Sequence, residues 1–445
     1  MRIRIKQTVS VIGLMVLLSL SAGAQTVNLS LKEALNYALA NNTDIQKARL
    51  EIINGQLQTD EIRARALPQL NGKSSLTDQL IIPQLIVGNQ IFKMGRQWTG
   101  DVGLNFSQQL FNKQVFTGLK AAKAGESFYN LSAELTEEDI IQQVSTSYYQ
   151  VLISGEQLKT IEANIQSIGR IETTVANQFK NGLAKKIDLD RVRVNLTNVK
   201  TQRDQLANGI MQQENVLKFY IGMPVDTKIE MPSAELNKIS EDALSRYNDF
   251  KVEDLTRYRL LMKQEELLGY QKKAAIAEYF PTLSMTGNFA RTSTSDRFDL
   301  FGGQNSSAVK YNASAIGLTL NIPIFDGFAR RSRVKQADIE IQQIQQDLKN
   351  TKNSLSLAYN NANLELRNNI STINAQQENV KLAGEIYAST QNNYNNGLAP
   401  LTDLLNAETS MVDAQNSYNK ALLNYKLAEI QLIQSNGNIK SLLNE

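Results

Sequence analysis

The chain has 445 residues, with 47 basic and 44 acidic side chains and neither histidine nor cysteine. It therefore lacks the commonest metal ligand, the commonest general base, a disulfide framework and a cysteine for lipid attachment. Residues 1–24 hold three of the basic residues and no acidic one, so the remainder carries 44 of each and has no basic footprint for nucleic acid. These counts argue against most enzymes, and we expect no catalytic residue, metal, cofactor or nucleic-acid partner.

The N-terminus has the pattern of a secretory signal peptide. Three basic residues in the first six positions precede an apolar run over residues 9–20, and small residues stand at Ala22 and Ala24. We predict a signal peptide over residues 1–24, cut after Ala24. The alternative, a membrane anchor, is disfavoured because a spanning helix needs about 20 apolar residues.

The rest of the chain reads as two tandem repeats. The ten residues 179–188 recur at 394–403, with an aromatic residue, Asn, Gly, Leu, Ala and Asp in register. Such self-similarity at a fixed offset predicts a duplicated architecture, here residues 25–229 and 230–445. In each repeat we predict a helix, a β-hairpin, a very long helix, a tip and a further helix.

The first repeat begins with a predicted helix over residues 30–66. Ser30 and Glu33 have the spacing of a capping box, and apolar residues follow at intervals of three and four. Pro68 ends this helix and Pro281 ends its counterpart, because proline has no N–H to donate and clashes with the preceding turn.

The segments that follow, about 69–110 and 282–323, alternate between apolar and polar residues. In one of them Val102, Leu104 and Phe106 share one face, while Asp101 shares the other with glycine and asparagine. This pattern fits a membrane strand with lipid outside and water inside, although a half-buried strand of a soluble protein gives the same pattern.

Two loops join these strands, over 80–97 and 293–310, and we expect both to face the exterior. The first is apolar, and we expect it to pack over the mouth of a channel or to touch lipid.

Residues 113–180 and 327–395 are each predicted to form one helix, because they contain almost no proline and little glycine. A helix of about 67 residues spans about 100 Å, which is typical of a coiled coil or a helical barrel. The second carries an apolar seam, and its neutral polar face is either solvated or lines a water-filled conduit. The seam comprises Ile341, Ile344, Leu348, Leu355, Ala358, Ala362 and Leu366.

Four strands per chain cannot close a barrel, because known barrels begin at about eight strands. An open edge in lipid would leave backbone groups unsatisfied, each at a cost of several kcal/mol. If the strands lie in a membrane, several chains must share one barrel: two would give eight strands and three would give twelve.

In order, the chain has a Leu-x-x-Ala-Leu-x-x-Ala-Leu-x-x-Asn run from Leu31, Ala-Leu-Pro-Gln-Leu from Ala66, two hairpins and two aromatic-x-x-Gly tips. Over residues 28–440 this order resembles the TolC-type outer membrane efflux proteins. The resemblance implies a mixed α and transmembrane β fold. It would be a homotrimer with a twelve-stranded barrel in outer membrane lipid, continued by a periplasmic α-helical barrel. Such proteins form the exit duct of an inner-membrane pump, of RND or ABC type, joined through a periplasmic adaptor.

The resemblance also implies a periplasmic gate at the tips. By motif position its residues are Asp188 in the first tip and Tyr394, Asp403 and Asn406 in the second. Ala399 stands where the family has an arginine, and Asn406 stands where it has a second aspartate. An alternative interpretation is that both aspartates cap a helix or occupy its first turn, where acidic residues are favoured. Tyr394 could equally pack between helices.

Without the arginine, the usual ionic lock of the gate cannot form, and Lys185 or Lys186 is the candidate replacement. Gly182 and Gly397 are expected to supply positive φ at the two tip turns.

The leading function is therefore an outer membrane efflux duct, gated at its periplasmic tips. An outer membrane duct for type I protein secretion is the closest alternative, and a periplasmic coiled-coil adaptor is a weaker one. Aromatic residues beside the predicted strands favour a duct, since such residues mark membrane interfaces. They are Phe92, Trp98, Phe289, Phe298 and Tyr311.

Overall fold

A computed structural model describes residues 27–232, 249–300 and 307–444 of the chain. The signal peptide predicted for residues 1–24 lies outside these ranges.

The chain divides into two compact units, and each contains segments of both predicted repeats. We call them the core unit and the strand unit. The core unit comprises residues 1–49, 132–258 and 350–445, and the strand unit comprises residues 50–131 and 259–349.

Helices dominate the described residues. The two very long helices are confirmed, with 68 residues in α3 and 67 in α6. No helix among the described residues combines the length and apolar character needed to cross a membrane. The helices are α1 Leu31–Asn41, α2 Thr43–Ala64, α3 Lys113–Lys180, α4 Lys186–Ile221, α5 Thr256–Ala277, α6 Ala329–Asn395 and α7 Leu401–Ser435, with short 3₁₀ helices at Val252–Asp254 and Ile439–Leu443.

The prediction of a single helix over residues 30–66 is wrong, because the helix breaks at Asn42. This residue has an extended backbone, with φ −62° and ψ 131°. Its Oδ1 accepts hydrogen bonds from the N–H groups of Asp44 at 2.8 Å and Ile45 at 3.2 Å. An asparagine side chain that satisfies the first N–H groups of a helix is an N-cap, so Asn42 ends α1 and starts α2.

The other predicted helix boundaries agree with the structure to within a few residues. The capping box is confirmed, since Ser30 N–H donates to Glu33 Oε2 at 2.9 Å and Glu33 N–H donates to Ser30 Oγ at 3.3 Å. Helices α2 and α5 each end four residues before a proline. Helix α6 begins two residues later than predicted, because Gly327 and Phe328 take positive φ values of 66° and 69°.

The core unit has one large apolar core and a smaller one. The large core joins residues of α1, α3, α4, α6 and α7, and includes the fully buried Tyr148, whose Oη donates to the carbonyl of Leu29 at 3.1 Å. The N-terminal strand β1, Val27–Asn28, pairs in parallel with β6, Ile229–Glu230. The smaller core lies beside the tips and includes Ile168, Leu189 and Leu404.

The strand unit contains one antiparallel sheet of four long strands, in which the two predicted hairpins lie side by side. Its spatial order is β2, β5, β7, β8, so that β2 and β8 are the edges. These strands are β2 Gln69–Asp78, β5 Trp98–Phe111, β7 Thr282–Ser295 and β8 Val309–Asn321. A short hairpin of β3, Gln84–Val87, and β4, Gln90–Lys93, lies within the first loop and was not predicted.

The register of the strands gives this sheet two unlike faces. We call one the apolar face; it carries Leu70, Leu104, Phe106, Phe289 and Ile316. The other, the polar face, carries Asn71, Asp101, Asn105, Asn288 and Thr319. On the polar face Thr292 Oγ1 donates to Asp101 Oδ1 at 2.6 Å. The period-two pattern therefore separates the two kinds of side chain as expected for strands.

Candidate functional site: the helix tips

The two tips have the same backbone turn. Gly182 and Gly397 have φ values of 78° and 75°, so the predicted positive φ is confirmed. In both tips the glycine N–H donates to the carbonyl three residues earlier at 3.0 Å, and the next N–H donates to the carbonyl five residues earlier at 2.8 Å. This is the Schellman arrangement that ends α3 and α6, and it favours glycine because the left-handed region penalises a Cβ.

Asp188 and Asp403 are each the third residue of the helix that leaves the tip. The cap positions are Lys185 and Pro400, and neither cap residue makes a side-chain capping bond. The N-cap interpretation of the two aspartates is therefore wrong, whereas their first-turn placement, which complements the helix dipole, is observed. Asp403 is exposed and Asp188 is half-buried.

Tyr394 joins the two tips. Its hydroxyl donates to Gln178 Oε1 at 3.2 Å, and its ring packs against the smaller core. Burial raises the pKa of the Tyr394 hydroxyl, and the nearby negative charge of Asp188 raises it further. The structure therefore brings together two of the four predicted gate residues, one from each tip.

The other two predicted gate residues lie apart from this pair. Asp403 and Asn406 are exposed, one helical turn from each other on α7. Ala399, at the position of the missing arginine, is half-buried.

The proposed replacement of that arginine finds no support within one chain. Lys185 and Lys186 are exposed, and neither forms an ion pair in the described part of the chain. An ion pair between Arg193 Nε and Glu172 Oε1, at 3.0 Å, instead links α4 to α3.

A buried acid near the second tip was missed by the sequence analysis. Glu408 on α7 is 4% exposed, and neither of its carboxylate oxygens has a hydrogen-bond partner among the described residues. Burial raises the pKa of the Glu408 carboxyl, and the Ser167 hydroxyl and Arg170 offset part of that rise. Its sequence signal was its spacing after Leu401 and Leu404, which places it on the apolar face of the helix.

The Ser167 hydroxyl, which lies near this buried acid, is itself paired with a tyrosine of α6. Ser167 Oγ of α3 lies 2.8 Å from Tyr387 Oη of α6, and Gln391 Nε2 donates to the same tyrosine oxygen at 3.3 Å. The site therefore contains carboxylates, a phenol and amides, which can act on a solute through charge and hydrogen bonds. No group of three or more metal-ligating side chains occurs in the described residues.

An exposed leucine follows the glycine at each tip. Leu183 is 80% exposed and Leu398 is 78% exposed. In a Schellman turn the residue at this position commonly packs back on its helix. At both tips it instead presents an apolar side chain to solvent.

Comparison with known proteins identifies the family. The profile described as "Outer membrane efflux protein" matches residues 34–223 and 263–438. The chain belongs to the outer membrane efflux protein family. The outer membrane protein TolC of Vibrio cholerae is 23% identical over 353 residues, covering 76% of each chain. The alkaline protease secretion protein AprF of Pseudomonas aeruginosa is 22% identical over 416 residues, covering 91% of this chain and 83% of AprF.

The fold is shared with a solved structure. The crystal structure of the outer membrane protein VceC from Vibrio cholerae matches with a TM-score of 0.73 at 18% identity, covering 92% of this chain and 96% of VceC. As an outer membrane efflux protein, the chain is located in the outer membrane and extends into the periplasm, as predicted. The family comprises outer membrane efflux proteins such as TolC, so at the level of the family the chain is an outer membrane efflux channel rather than an enzyme.

Proposed function

We propose that the chain is the trimeric exit duct of a tripartite efflux system, gated at its periplasmic helix tips. The strands of three chains form one barrel in the outer membrane, and their long helices form the periplasmic conduit. An inner-membrane pump, of RND or ABC type, delivers cargo through a periplasmic adaptor. The two-faced sheet is the observation that carries this proposal.

The edges of the sheet support the shared barrel. Strands β2 and β8 each have one side without a neighbour in the four-stranded sheet. Unpaired backbone groups cost several kcal/mol in lipid, and pairing β2 of one copy with β8 of the next removes both edges. Three copies give twelve strands, within the range known for outer membrane barrels. The polar face then lines the lumen and the apolar face meets lipid.

The tips support the gate. Threefold symmetry makes a ring of like charge from every exposed Asp403, and such a ring attracts cations. In each copy the Tyr394 hydroxyl donates to Gln178 of the first tip, close to the negative charge of Asp188. Asn406, one turn beyond Asp403, adds an uncharged hydrogen-bonding ring. Without the arginine, this gate depends on carboxylate repulsion and on the tyrosine contact rather than on an ionic lock.

The exposed leucines support contact with an adaptor. Leu183 and Leu398 place two apolar side chains per copy at the periplasmic end of the helices. Removing these side chains from water favours association with a partner that presents a matching apolar groove. The adaptor therefore docks on the tip turns, beside the gate.

Replacing Asp403 with alanine tests the gate. We expect Asp403→Ala to raise the resting conductance of the purified channel in planar bilayers and to weaken block by multivalent cations, because it removes the charged ring. The matched control is Asp413→Ala, which removes an exposed aspartate from the same helix but away from the tip. Conductance and cation block that are the same in both variants as in the wild type would count against the gate.

A duct for type I protein secretion is the second candidate. It is favoured by the similarity to AprF, which extends over 91% of this chain. A deletion strain separates the two candidates. Loss of a secreted polypeptide from the medium without increased sensitivity to small toxic compounds indicates the secretion duct, and the reverse result indicates an efflux duct.

A further inference from the structure

An exposed apolar segment lies between the end of β8 and the start of α6. Ile324 and Phe325 are 91% and 73% exposed, and Phe328 is exposed as well. The rings of Phe325 and Phe328 meet edge-to-face, with their centroids 5.4 Å apart. We call Ile324, Phe325 and Phe328 the junction patch. Exposed apolar side chains that cluster in this way mark a site of contact with another molecule.

A buried arginine holds the backbone that presents this patch. Arg330 Nη1 donates to the carbonyl of Pro323 at 3.1 Å, and Arg330 Nε donates to Asp326 Oδ2 at 2.8 Å. Phe328, between Asp326 and Arg330, has a positive φ of 69°, in the left-handed region that a bulky residue rarely adopts. Such a residue persists only where its surroundings fix it, and strained residues cluster at functional sites. The patch is therefore held in place before a partner binds.

The junction patch has a counterpart in the first repeat. When β5 and β8 are aligned on the Gly-Leu pair that each contains, Phe111 corresponds to Phe325. When β2 and β7 are aligned on the proline that precedes each, Leu283 corresponds to Leu70. The junction between β5 and β7 within one chain is therefore a template for a junction between β8 of one copy and β2 of the next.

Within one chain, the neighbouring strand covers the counterpart of the patch. Phe111 lies opposite Leu283 in the register of β5 and β7. Leu110 and Phe111 are accordingly only 43% and 42% exposed. Strands β8 and β2 are the two edges of the described sheet. The same arrangement, carried to these edges, places Phe325 opposite Leu70 of a neighbouring copy.

A cavity lies at the start of β2, where this arrangement requires space for the patch. It has a volume of about 530 Å³ and is formed by the end of α2, the start of β2, the end of β5 and the start of α3. Its lining includes the apolar side chains of Ile62, Leu67 and Val115, together with Arg65 and Gln69. Phenylalanine buries a large apolar area when it packs on side chains of this kind. The cavity can therefore receive the rings of the junction patch.

We propose that the junction patch of each copy docks on this cavity in the next copy, at the level where the strands join the helices. The occupant is a second copy of this chain rather than lipid or an adaptor, because the contact repeats one that the chain already makes between its own two halves. Burial of the three apolar side chains removes them from water and stabilises the assembly. The inference rests on the proposed trimer.

Paired cysteines test the contact in the full-length chain, which has no cysteine of its own. The test variant is Phe325→Cys with Leu70→Cys, oxidised in outer membranes and analysed by gel electrophoresis after heating in SDS. Within one chain β2 and β8 are separated by β5 and β7, so the two positions lie about 14 Å apart, which a disulfide cannot span. We therefore expect covalent dimers and trimers that a reductant returns to single chains.

Two control pairs show whether the cross-link is specific. Phe111→Cys with Leu283→Cys lie opposite each other within one chain, so they should form a disulfide without any covalent oligomer. Phe325→Cys with Leu76→Cys combines the patch with the loop end of β2 and should form neither.

The same preparations separate failure of this inference from failure of the proposed function. Native mass spectrometry gives the number of copies in each preparation. A trimer by mass without the cross-link between positions 325 and 70, although the first control pair forms its disulfide, would overturn the inference and leave the trimer standing. A monomer by mass would contradict the proposed function and the inference with it.

A photoreactive side chain at position 325 identifies what covers the patch. Phe325→p-benzoylphenylalanine keeps an aromatic ring there, and irradiation joins it to its nearest neighbour, which peptide mass spectrometry then identifies. An adduct with residues 62–70 of another copy supports the proposal. An adduct with lipid or with a periplasmic protein overturns it.

Truncation measures the strength of the contact. Phe325→Ala and Phe328→Gly each remove one ring, and glycine suits the positive φ at position 328, so the second variant loses the contact without straining the chain. We expect each trimer to dissociate in SDS about ten-fold faster than the wild type, because an anchor residue of an interface contributes at least that factor. The matched control, Phe298→Ala, removes a ring as exposed as that of Phe328 from the loop end and should dissociate at the wild-type rate. Wild-type rates in both truncations would overturn the docking.

Discussion

At the scale of single residues, the charged side chains near the tips include one buried carboxyl group. Glu408 is the least expected of them, because it is buried beside an apolar core while its oxygens lack partners among the described residues. Ser167 and Arg170 of α3 lie near it, and Ser167 is paired with Tyr387 of α6. Because the folded-state pKa of Glu408 is raised above its ordinary value of 4.5, folding favours the protonated form. The stability contributed by that form is complete below 4.5 and is lost as the pH rises through the folded-state pKa.

Glu408→Gln tests this linkage. The amide keeps the volume but cannot ionise, so we expect the variant to be more stable than the wild type at pH 8 by about 1 kcal/mol and little changed at pH 4. Thermal unfolding followed by circular dichroism at both pH values measures the difference. Glu378→Gln, at an exposed position of α6, is the control and should shift neither value. A destabilised Glu408→Gln variant at pH 8 would show that the ionised carboxylate is stabilised by the fold.

The features of the site that depend on neighbouring residues could be predicted from the sequence, whereas those that depend on contacts between distant helices could not. The positive φ of Gly182 and Gly397 was predictable, because a turn between two helices is a local requirement. The approach of Tyr394 to Asp188 was not predictable, because it depends on how α4 and α6 pack. The spacing of Glu408 after Leu401 and Leu404 already placed this acid on the apolar face of its helix. Whether a side chain on that face is buried depends on tertiary packing, which the spacing does not give.

At the scale of elements, glycines with the same dihedral angles meet different surroundings. Gly397 has φ 75°, and a Cβ added there would meet nothing within 4 Å. Gly222, at the end of α4, has φ 74°, and a Cβ added there would lie 2.6 Å from the carbonyl oxygen of Asn41. The tip turn therefore requires glycine for its backbone alone, whereas the end of α4 requires it also for close approach to α1.

Alanine at each position separates the two requirements. Gly397→Ala should destabilise the chain by about 1–2 kcal/mol, the cost of a left-handed alanine. Gly222→Ala should cost clearly more, because it adds a clash with backbone that cannot move without shifting α1. Chemical denaturation of the two variants gives the comparison. Equal losses would mean that α1 moves aside freely.

The end of a helix or strand could be predicted where a single local residue sets it. It could not be predicted where a contact with a distant part of the chain sets it. Proline and glycine ended helices as expected, and period-two alternation located all four long strands. The break at Asn42 was missed because the first helical periodicity continues across it. Asn42 Nδ2 donates to the carbonyl of Tyr220 at 2.7 Å, a contact 178 residues away that no local pattern contains.

At the scale of the whole molecule, the edge strands determine the predicted assembly. A single four-stranded sheet with one apolar face is unfavourable in water, because the apolar face is exposed. It is also unfavourable in lipid, because the backbone groups of its two edges lack hydrogen-bond partners. Sharing the edges between copies solves both problems. The four strands and their pairing into two hairpins were predicted from the sequence. The number of copies was left open, because closure by two or by three chains satisfies the same local rules.

We predict a trimer. Native mass spectrometry of the channel in detergent should give about three times the mass of one mature chain, and the unheated oligomer should resist SDS because its strands are hydrogen-bonded between copies. A dimer, with eight strands, would contradict the twelve-stranded barrel. A monomer would contradict the membrane placement of the sheet as well.

The junction at Asn42 also bears on the order in which the chain acquires structure during export. Asn42 bonds to Tyr220, Leu29 bonds to Tyr148, and β1 pairs with Ile229–Glu230. In these three contacts, every partner of the N-terminal segment lies within the first 230 residues of the chain. A polypeptide that crosses the inner membrane N-terminus first can fasten its leading end before its second half arrives, which leaves less unpaired chain exposed to periplasmic proteases.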